Sequence, residues 1–259
     1  MFFLAFLSGI YFFYMFLTVL FRNSEKQIEE KFVTIVQNTH TNEENKKIIK
    51  GPINENILTE LGKKQAGEIS ELLNKFGSFD AVYCSPSVNT LQTAVSVLEE
   101  PELIIDNDLL DINQGDWIGK EKEECYTDEV LRKIEEDREN FRAPNGESMH
   151  DLERRITDLL FDVSEMKEDN IIVFTHETPM KLIIRWINDY EWSDMERIRI
   201  PDEGIIRFRR VGDELELCEE EEDNDSPQQE EVEEEEENNT ESINEGENEE
   251  QEQEKEVRA

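Results

Sequence analysis

Between residues 32 and 218, short apolar runs alternate with amphipathic helical stripes, and that alternation leaves few folds open. Residues 33–36, 79–84 and 170–175 read as short, buried-type strands. Leu61, Ala66, Ile69, Leu72, Leu73 and Phe76 fall on one helix face, with Thr59 placed to cap it. Ser85-Pro86 opens another helix, with apolar Leu91, Ala94, Val95 and Val97. Met149, Leu152, Ile156, Leu159, Leu160 and Val163 form a third stripe, and Met180, Leu182, Ile183 and Trp186 a fourth. Residues 204–211 and 214–218 look like a closing hairpin around Gly212-Asp213. Parallel strands need long crossovers, and helices supply them. The expected fold class is therefore α/β, a three-layer α/β/α sandwich with a mostly parallel central sheet.

The two ends differ from this middle. Residues 1–21 are apolar with no charged side chain, long enough to span a bilayer as one helix. A cleaved signal peptide would have a basic start and a shorter apolar core. Arg22 and Lys26 follow the span and no basic residue precedes it, so the rest of the chain is expected on the cytosolic side. Residues 22–31 read as a polar stalk and 32–218 as the folded domain. Residues 219–259 hold 21 acidic side chains against two basic ones, the composition of a disordered tail. That tail accounts for half of the net charge of -38. Such acidity argues against nucleic acid as a partner and leaves a basic protein as a candidate for the tail. Cys84, Cys125 and Cys218 show no metal-type spacing, so no metal or cofactor is expected, and a reducing compartment suits them.

Four stretches carry the functional signal. They are Gln37-Asn38-Thr39-His40-Thr41 after the first strand, Ser85-Pro86 with Asn89 and Gln92-Thr93-Ala94, Pro144-Asn145-Gly146-Glu147-Ser148, and Thr175-His176. Together with Gly115-Asp116-Trp117-Ile118-Gly119 and Leu58-Thr59-Glu60-Leu61-Gly62, this layout resembles the histidine phosphatase superfamily, the phosphoglycerate-mutase-like fold. The resemblance implies a phosphate pocket at the carboxyl ends of the strands. There the first strand ends in Arg-His-Gly, and that His takes the phosphoryl group. A second Arg lies on the Ser-Pro helix, a second His closes a later strand, and a carboxylic acid protonates the leaving group.

Most of those side chains are replaced here. The family has a Gly about 13 residues after the nucleophile, and Gly51 stands 13 after Asn38. Asn38 therefore holds the nucleophile position, Gln37 the first Arg, Ile48 a further Arg, Asn89 the second Arg and Asp111 the acid. His176 is the retained second His, followed by Glu177-Thr178 where the family has Gly-Gly. An amide nitrogen has its lone pair delocalised and cannot accept a phosphoryl group as imidazole does. Gln37 and Asn89 cannot supply a guanidinium fork. The reading is a membrane-anchored pseudophosphatase with a binding or scaffolding role and an unidentified ligand. One alternative is an active phosphatase of the phosphoglycerate mutase family using His40 or His176. Its cations would come from Lys46, Lys47, Lys50 or Lys181, with Lys50 the foremost substitute. A second alternative is a membrane tether presenting an acidic docking tail. Trp117 is expected to pack, and His40 to sit at the pocket mouth.

Overall fold

The computed structural model describes residues 30–42, 47–53, 56–211 and 214–218. The expected membrane helix, most of the stalk and the acidic tail lie outside the described residues. Among those described, no helix is long and apolar enough to cross a membrane.

The described strands are β1 (Lys31–Gln37), β2 (Ala81–Cys84), β3 (Leu103–Ile105), β4 (Asn170–Thr175), β5 (Ile205–Val211) and β6 (Glu214–Leu217). The main helices are α1 (Glu60–Leu73), α2 (Val88–Val97), the one-turn α3 (Lys122–Cys125), α4 (Asp128–Glu136), α5 (Met149–Glu165) and α6 (Glu177–Ile187). The sheet order is β3-β2-β4-β1-β5-β6. The first four are mutually parallel, while β5 and β6 run antiparallel. The mostly parallel α/β expectation thus matches the fold, and the expected closing hairpin is the β5–β6 pair.

Period-2 alternation distributes the core to both faces of the sheet. Val33 and Ile35 of β1, with Ile171 and Val173 of β4, pack with Ile156, Leu160, Met180 and Ile183 of α5 and α6. Val36, Ile172 and Phe174 point the other way, against Ala66, Ile69, Ala94 and Val97 of α1 and α2. Central β4 is apolar on both faces, as a strand covered by helices on both sides requires. An ion pair of half-buried Arg185 with buried Glu153, 2.7 Å, joins α6 to α5, and Arg185 also lies 4.1 Å over the Trp192 ring.

Several local expectations are corrected. Leu61, Val95 and Trp186 are exposed. Helix α1 instead buries Gly62, Ala66, Ile69 and Leu73, a narrower stripe than the sequence pattern suggests. Pro86 is not in the first turn of α2, which starts at Val88 with Ser87 at its N-cap position. Strand β1 begins at Lys31, two residues before the expected Val33, and β2 begins at Ala81 rather than Phe79. Strand β3 and helix α3, three and four residues long, had no clear periodic signal, and helix α4 was not expected although Val130, Leu131 and Ile134 recur along it at helical spacing. Thr59 caps α1 as expected, its side chain accepting from Gly62 N at 3.1 Å.

Candidate functional site

Ligands of open α/β sheets sit beyond the carboxyl ends of the strands. Here β1, β4 and β2 end side by side, so Asn38, His176 and Ser85 follow three neighbouring strands at one level. Asn38 N donates to Thr175 O (3.0 Å), and Ser85 N donates to Phe174 O (3.0 Å), extending the ladder into the site. A cavity of about 1040 Å³ opens above these ends. Gln37, Asn38, His40, Lys50, Asn89, Asp111 and His176 all line it. Seven of the eight residues singled out as catalytic or phosphate-pocket positions or substitutes are thus brought together. Ile48 is the exception: it pairs with Glu121 and is not among the described lining residues, which include its neighbours Ile49 and Lys50.

His176 is buried and engaged on both ring nitrogens. Its Nδ1 lies 3.2 Å from Asn38 Oδ1, while Nε2 lies 2.9 Å from Ser85 Oγ and 3.4 Å from Thr90 Oγ1. A carboxamide oxygen only accepts, so Nδ1 carries the proton, while the Ser85 hydroxyl can meet Nε2 as donor or as acceptor. Ser85 Oγ in turn accepts from Ser87 N (3.4 Å). Burial pushes the His176 pKa below the ordinary 6.5; Asp111 opposes that shift, and Arg155 adds to it.

This has a measurable consequence. A depressed histidine pKa means that, near and below pH 6.5, the unfolded chain binds more protons than the native one. His176 therefore lowers stability as pH falls from about 6.5 toward its folded pKa, by at most about 1.4 kcal/mol per pH unit. His176→Gln is expected to remove that component. Denaturant titrations of both proteins at pH 7.5 and 5.5 check it. Parallel pH dependence in the two would refute the buried, neutral imidazole.

The matching motifs have visible structural work. Gln92 Oε1 accepts from Leu58 N (2.8 Å), and Thr93 Oγ1 accepts from Thr39 N (3.1 Å) and donates to Asn89 O (2.9 Å). The Gln-Thr-Ala segment thus pins the loop after β1 to α2. Gly62 lies so close to His40 that a Cβ there would meet His40 O at 2.0 Å. His40 itself is exposed at the rim, its Nδ1 2.9 Å from Thr59 Oγ1. Trp117 is buried against Tyr126 and Phe141, the packing role expected of it. Asn89 is buried, and its Oδ1 accepts from Thr90 N (2.9 Å). Of the other candidate cations, Lys46 lies outside the described residues, and Lys47 and Lys181 are not among the described lining. Lys181 pairs instead with Glu177.

The sequence reading missed Arg155. This α5 residue forms a double contact to Glu147 of the Pro-Asn-Gly-Glu-Ser stretch, 2.8 and 3.2 Å. It also donates to Asp108 O (2.6 Å) and Asp111 O (3.1 Å), while Glu147 accepts from Asn113 N (2.7 Å). Arg155 and Glu147 therefore clamp the loop that carries Asp111. The signal lay in the sequence as an Arg eight residues after Glu147, but only the fold places both beside that loop. Cys84, by contrast, is buried, with its thiol pushed up to about 12, which leaves it unreactive. No group of three potential metal-ligating side chains occurs among the described residues.

The site is thus a mostly parallel α/β sandwich with His176 and Asn38 hydrogen-bonded at the carboxyl ends of two neighbouring strands. The sequence profile of the histidine phosphatase superfamily (branch 1) matches residues 38–223, and the chain belongs to that superfamily. A protein described as phosphoserine phosphatase 2 from Hydrogenobacter thermophilus is 24% identical over 189 residues, covering 71% of this chain and 91% of that protein. A bifunctional protein of Mycobacterium tuberculosis is 28% identical over 134 residues, but the chain spans only 36% of its length. Among solved structures, the alpha-ribazole phosphatase of Shigella flexneri aligns with a TM-score of 0.63 at 20% identity, covering 72% of this chain and 94% of that one. The phosphoserine phosphatase of Entamoeba histolytica, solved with 3-phosphoglyceric acid, aligns with a TM-score of 0.62 at 21% identity, covering 73% and 95%. Both share this fold.

Proposed function

We propose that this chain is a pseudophosphatase: a histidine-phosphatase fold that binds or scaffolds rather than hydrolyses. One observation carries the reading. Asn38, which the sequence register sets at the place of the phosphoryl acceptor, hydrogen-bonds His176 in a cavity with no arginine among its described lining residues. Electrostatic stabilisation is usually the largest catalytic contribution, and here both it and the nucleophile are gone. His40 and His176 do not replace them in this reading. His40 is tied to Thr59 at the rim, and His176 is buried with both nitrogens engaged.

The purified full-length protein in detergent micelles is expected to release no phosphate above background from p-nitrophenyl phosphate or a panel of phosphometabolites. Robust turnover abolished by His40→Ala would instead favour an active enzyme with a relocated nucleophile.

The reading also places the chain at a membrane, held by residues 1–21, with the domain on the cytosolic side. The uncharged apolar run and the basic residues just after it support this. Cell membranes washed with alkaline carbonate should retain the full-length chain, and a truncation starting at Ser24 should be soluble. Asn224 and Asn238 begin Asn-X-Ser and Asn-X-Thr acceptor sites. A glycan on either would reverse the orientation.

A further inference from the structure

The chain enters the fold at the pole opposite the cavity. Lys31 opens β1, and the starts of the neighbouring strands stand beside it. Phe32 N donates to Asp169 O (2.8 Å), and Asp80 N donates to Asn170 O (2.8 Å). Asn170 Nδ2 also donates to Phe76 O (3.0 Å) and Ser78 O (2.8 Å), which brings the turn after α1 to the same end. From Lys31, β1 carries the backbone about 20 Å to Gln37, which lines the cavity together with Asn38. Because β1, β2 and β4 are parallel, the strand ends beneath the cavity all lie at this far pole.

The link to the apolar run is too short to turn the domain over. Nine chain steps separate Phe21 from Glu30, a reach of at most about 32 Å when fully extended. A folded body of about 190 residues has a radius of gyration near 16 Å, so it is about 40 Å across and about 60 Å around half its circumference. To bring the cavity mouth down to a bilayer, the link would have to follow that half circumference, and it covers only about half of it.

Charge favours the same orientation. The described lining has five carboxylates, Glu68, Asp111, Glu177, Asp202 and Glu203. Against them stand Lys122 and Lys50, and Lys50 Nζ is closed off from solvent with no hydrogen-bond partner among the described residues. The cytoplasmic leaflet carries a negative surface potential, which repels an acidic mouth. Seven Asn and Gln side chains also lie among the described lining residues, Gln37, Asn38 and Gln65 among them. A carboxamide both donates and accepts hydrogen bonds, which suits a polar guest and offers little to an acyl chain.

We infer that the domain sits on its anchor with the cavity turned away from the bilayer, so that the cavity draws its occupant from the aqueous phase: a water-soluble polar molecule and not a membrane lipid. This rests on the membrane-anchored reading, and adds to it the face that meets the membrane and the class of ligand. It is independent of whether the site hydrolyses.

Single-cysteine reporters test this in the full-length chain, reconstituted into vesicles of phosphatidylcholine and phosphatidylserine. Ser78→Cys marks the anchor pole and Glu203→Cys the cavity rim, both at exposed positions. Both are made in a Cys218→Ser background, where the remaining Cys84 and Cys125 are buried. A donor dye on each cysteine is read with and without a short-range acceptor on the lipid headgroups. The dye at 78 is expected to lose most of its emission to the acceptor, and the dye at 203 to keep most of its own. Lys75→Cys and Asp202→Cys, also exposed, repeat the comparison at each pole. A benzophenone attached at 203 should give no lipid adduct on illumination.

Equal losses at the two poles, or a larger loss at 203, overturn the inference. So does a lipid adduct at 203. A chain that fails to float with the vesicles would instead remove the anchor, and the inference with it. Flotation with the losses reversed removes the orientation and the ligand class alone.

Discussion

Gly115→Ala is expected to destabilise the domain by about 3 kcal/mol or more, combining left-handed backbone strain with a forced repacking of two loops. Gly115 has φ +50, a conformation that L side chains rarely adopt. A Cβ there would also stand 2.3 Å from Pro144 O, 2.4 Å from Gly146 N and 2.5 Å from Asn145 C. All three are backbone atoms, so no flexible side chain can swing aside. The crossing is locked from both sides: Asp116 N donates to Pro144 O (2.8 Å) and Glu147 N donates to Asn113 O (2.9 Å). The loop that would have to move is the one carrying Asp111, so the cavity should suffer together with stability. Equilibrium denaturation with urea measures the loss. Since whole domains are stable by only about 5–15 kcal/mol, a shift this large is readily seen. A loss below about 1 kcal/mol would show that the two loops separate easily and do not define the cavity wall.

On the proposed reading, building a phosphate grip into the cavity is expected to have the largest effect on binding. The protein as it stands should bind inorganic phosphate poorly. Gln37, Asn38 and Asn89 all line the cavity beside His176, so side chains substituted there start from the right wall. Gln37→Arg, Asn38→His and Asn89→Arg together should tighten phosphate binding by at least about a hundredfold, since each charge-assisted bond contributes about 1.5–3 kcal/mol. Asn38→His alone should leave hydrolysis at background. It restores a nucleophile without the cations that hold the phosphate in line and stabilise its charge. Calorimetric titration of phosphate into the parent and both variants reads the first effect, and release of p-nitrophenol the second. Turnover by Asn38→His alone would mean that Lys50 or another cation already serves the phosphate. Equal phosphate affinity in the triple variant and the parent would place positions 37 and 89 away from the anion site.

The apolar runs of β1, β2 and β4 and the stripes of α1, α5 and α6 were legible because burial on the sheet writes a period of 2, and on the helices a period near 3.6, into the chain. The count from Asn38 to Gly51 set the register that puts Asn38 and His176 on adjacent strand ends, and the fold brings them within hydrogen-bonding distance. Helix α1 was placed but its face was drawn too wide. Leu61 and Leu72 fit the periodicity as well as Ala66 does, and only the approach of the sheet decides which of them is covered. Strand β3 and helix α3 escaped because three or four residues are too few to establish a period, whereas helix α4 does carry one, in Val130, Leu131 and Ile134.

The same division runs through the site. Sequence alone determined which side chains stand at positions 37, 38 and 89, and the low nucleophilicity and neutrality of an amide belong to those side chains themselves. It did not determine what the remaining groups became. The lowered pKa of His176 comes from its burial away from water, where Asn38 and Ser85 meet its two nitrogens. The clamp on the Asp111 loop needs Arg155 of α5 to meet Glu147 and the carbonyls of residues 108 and 111. The enclosure of Lys50 Nζ is equally invisible in its neighbours along the chain. Protonation, orientation and the cost of an unpaired charge are set by solvent exclusion and by groups distant in sequence, so tertiary structure alone decided them.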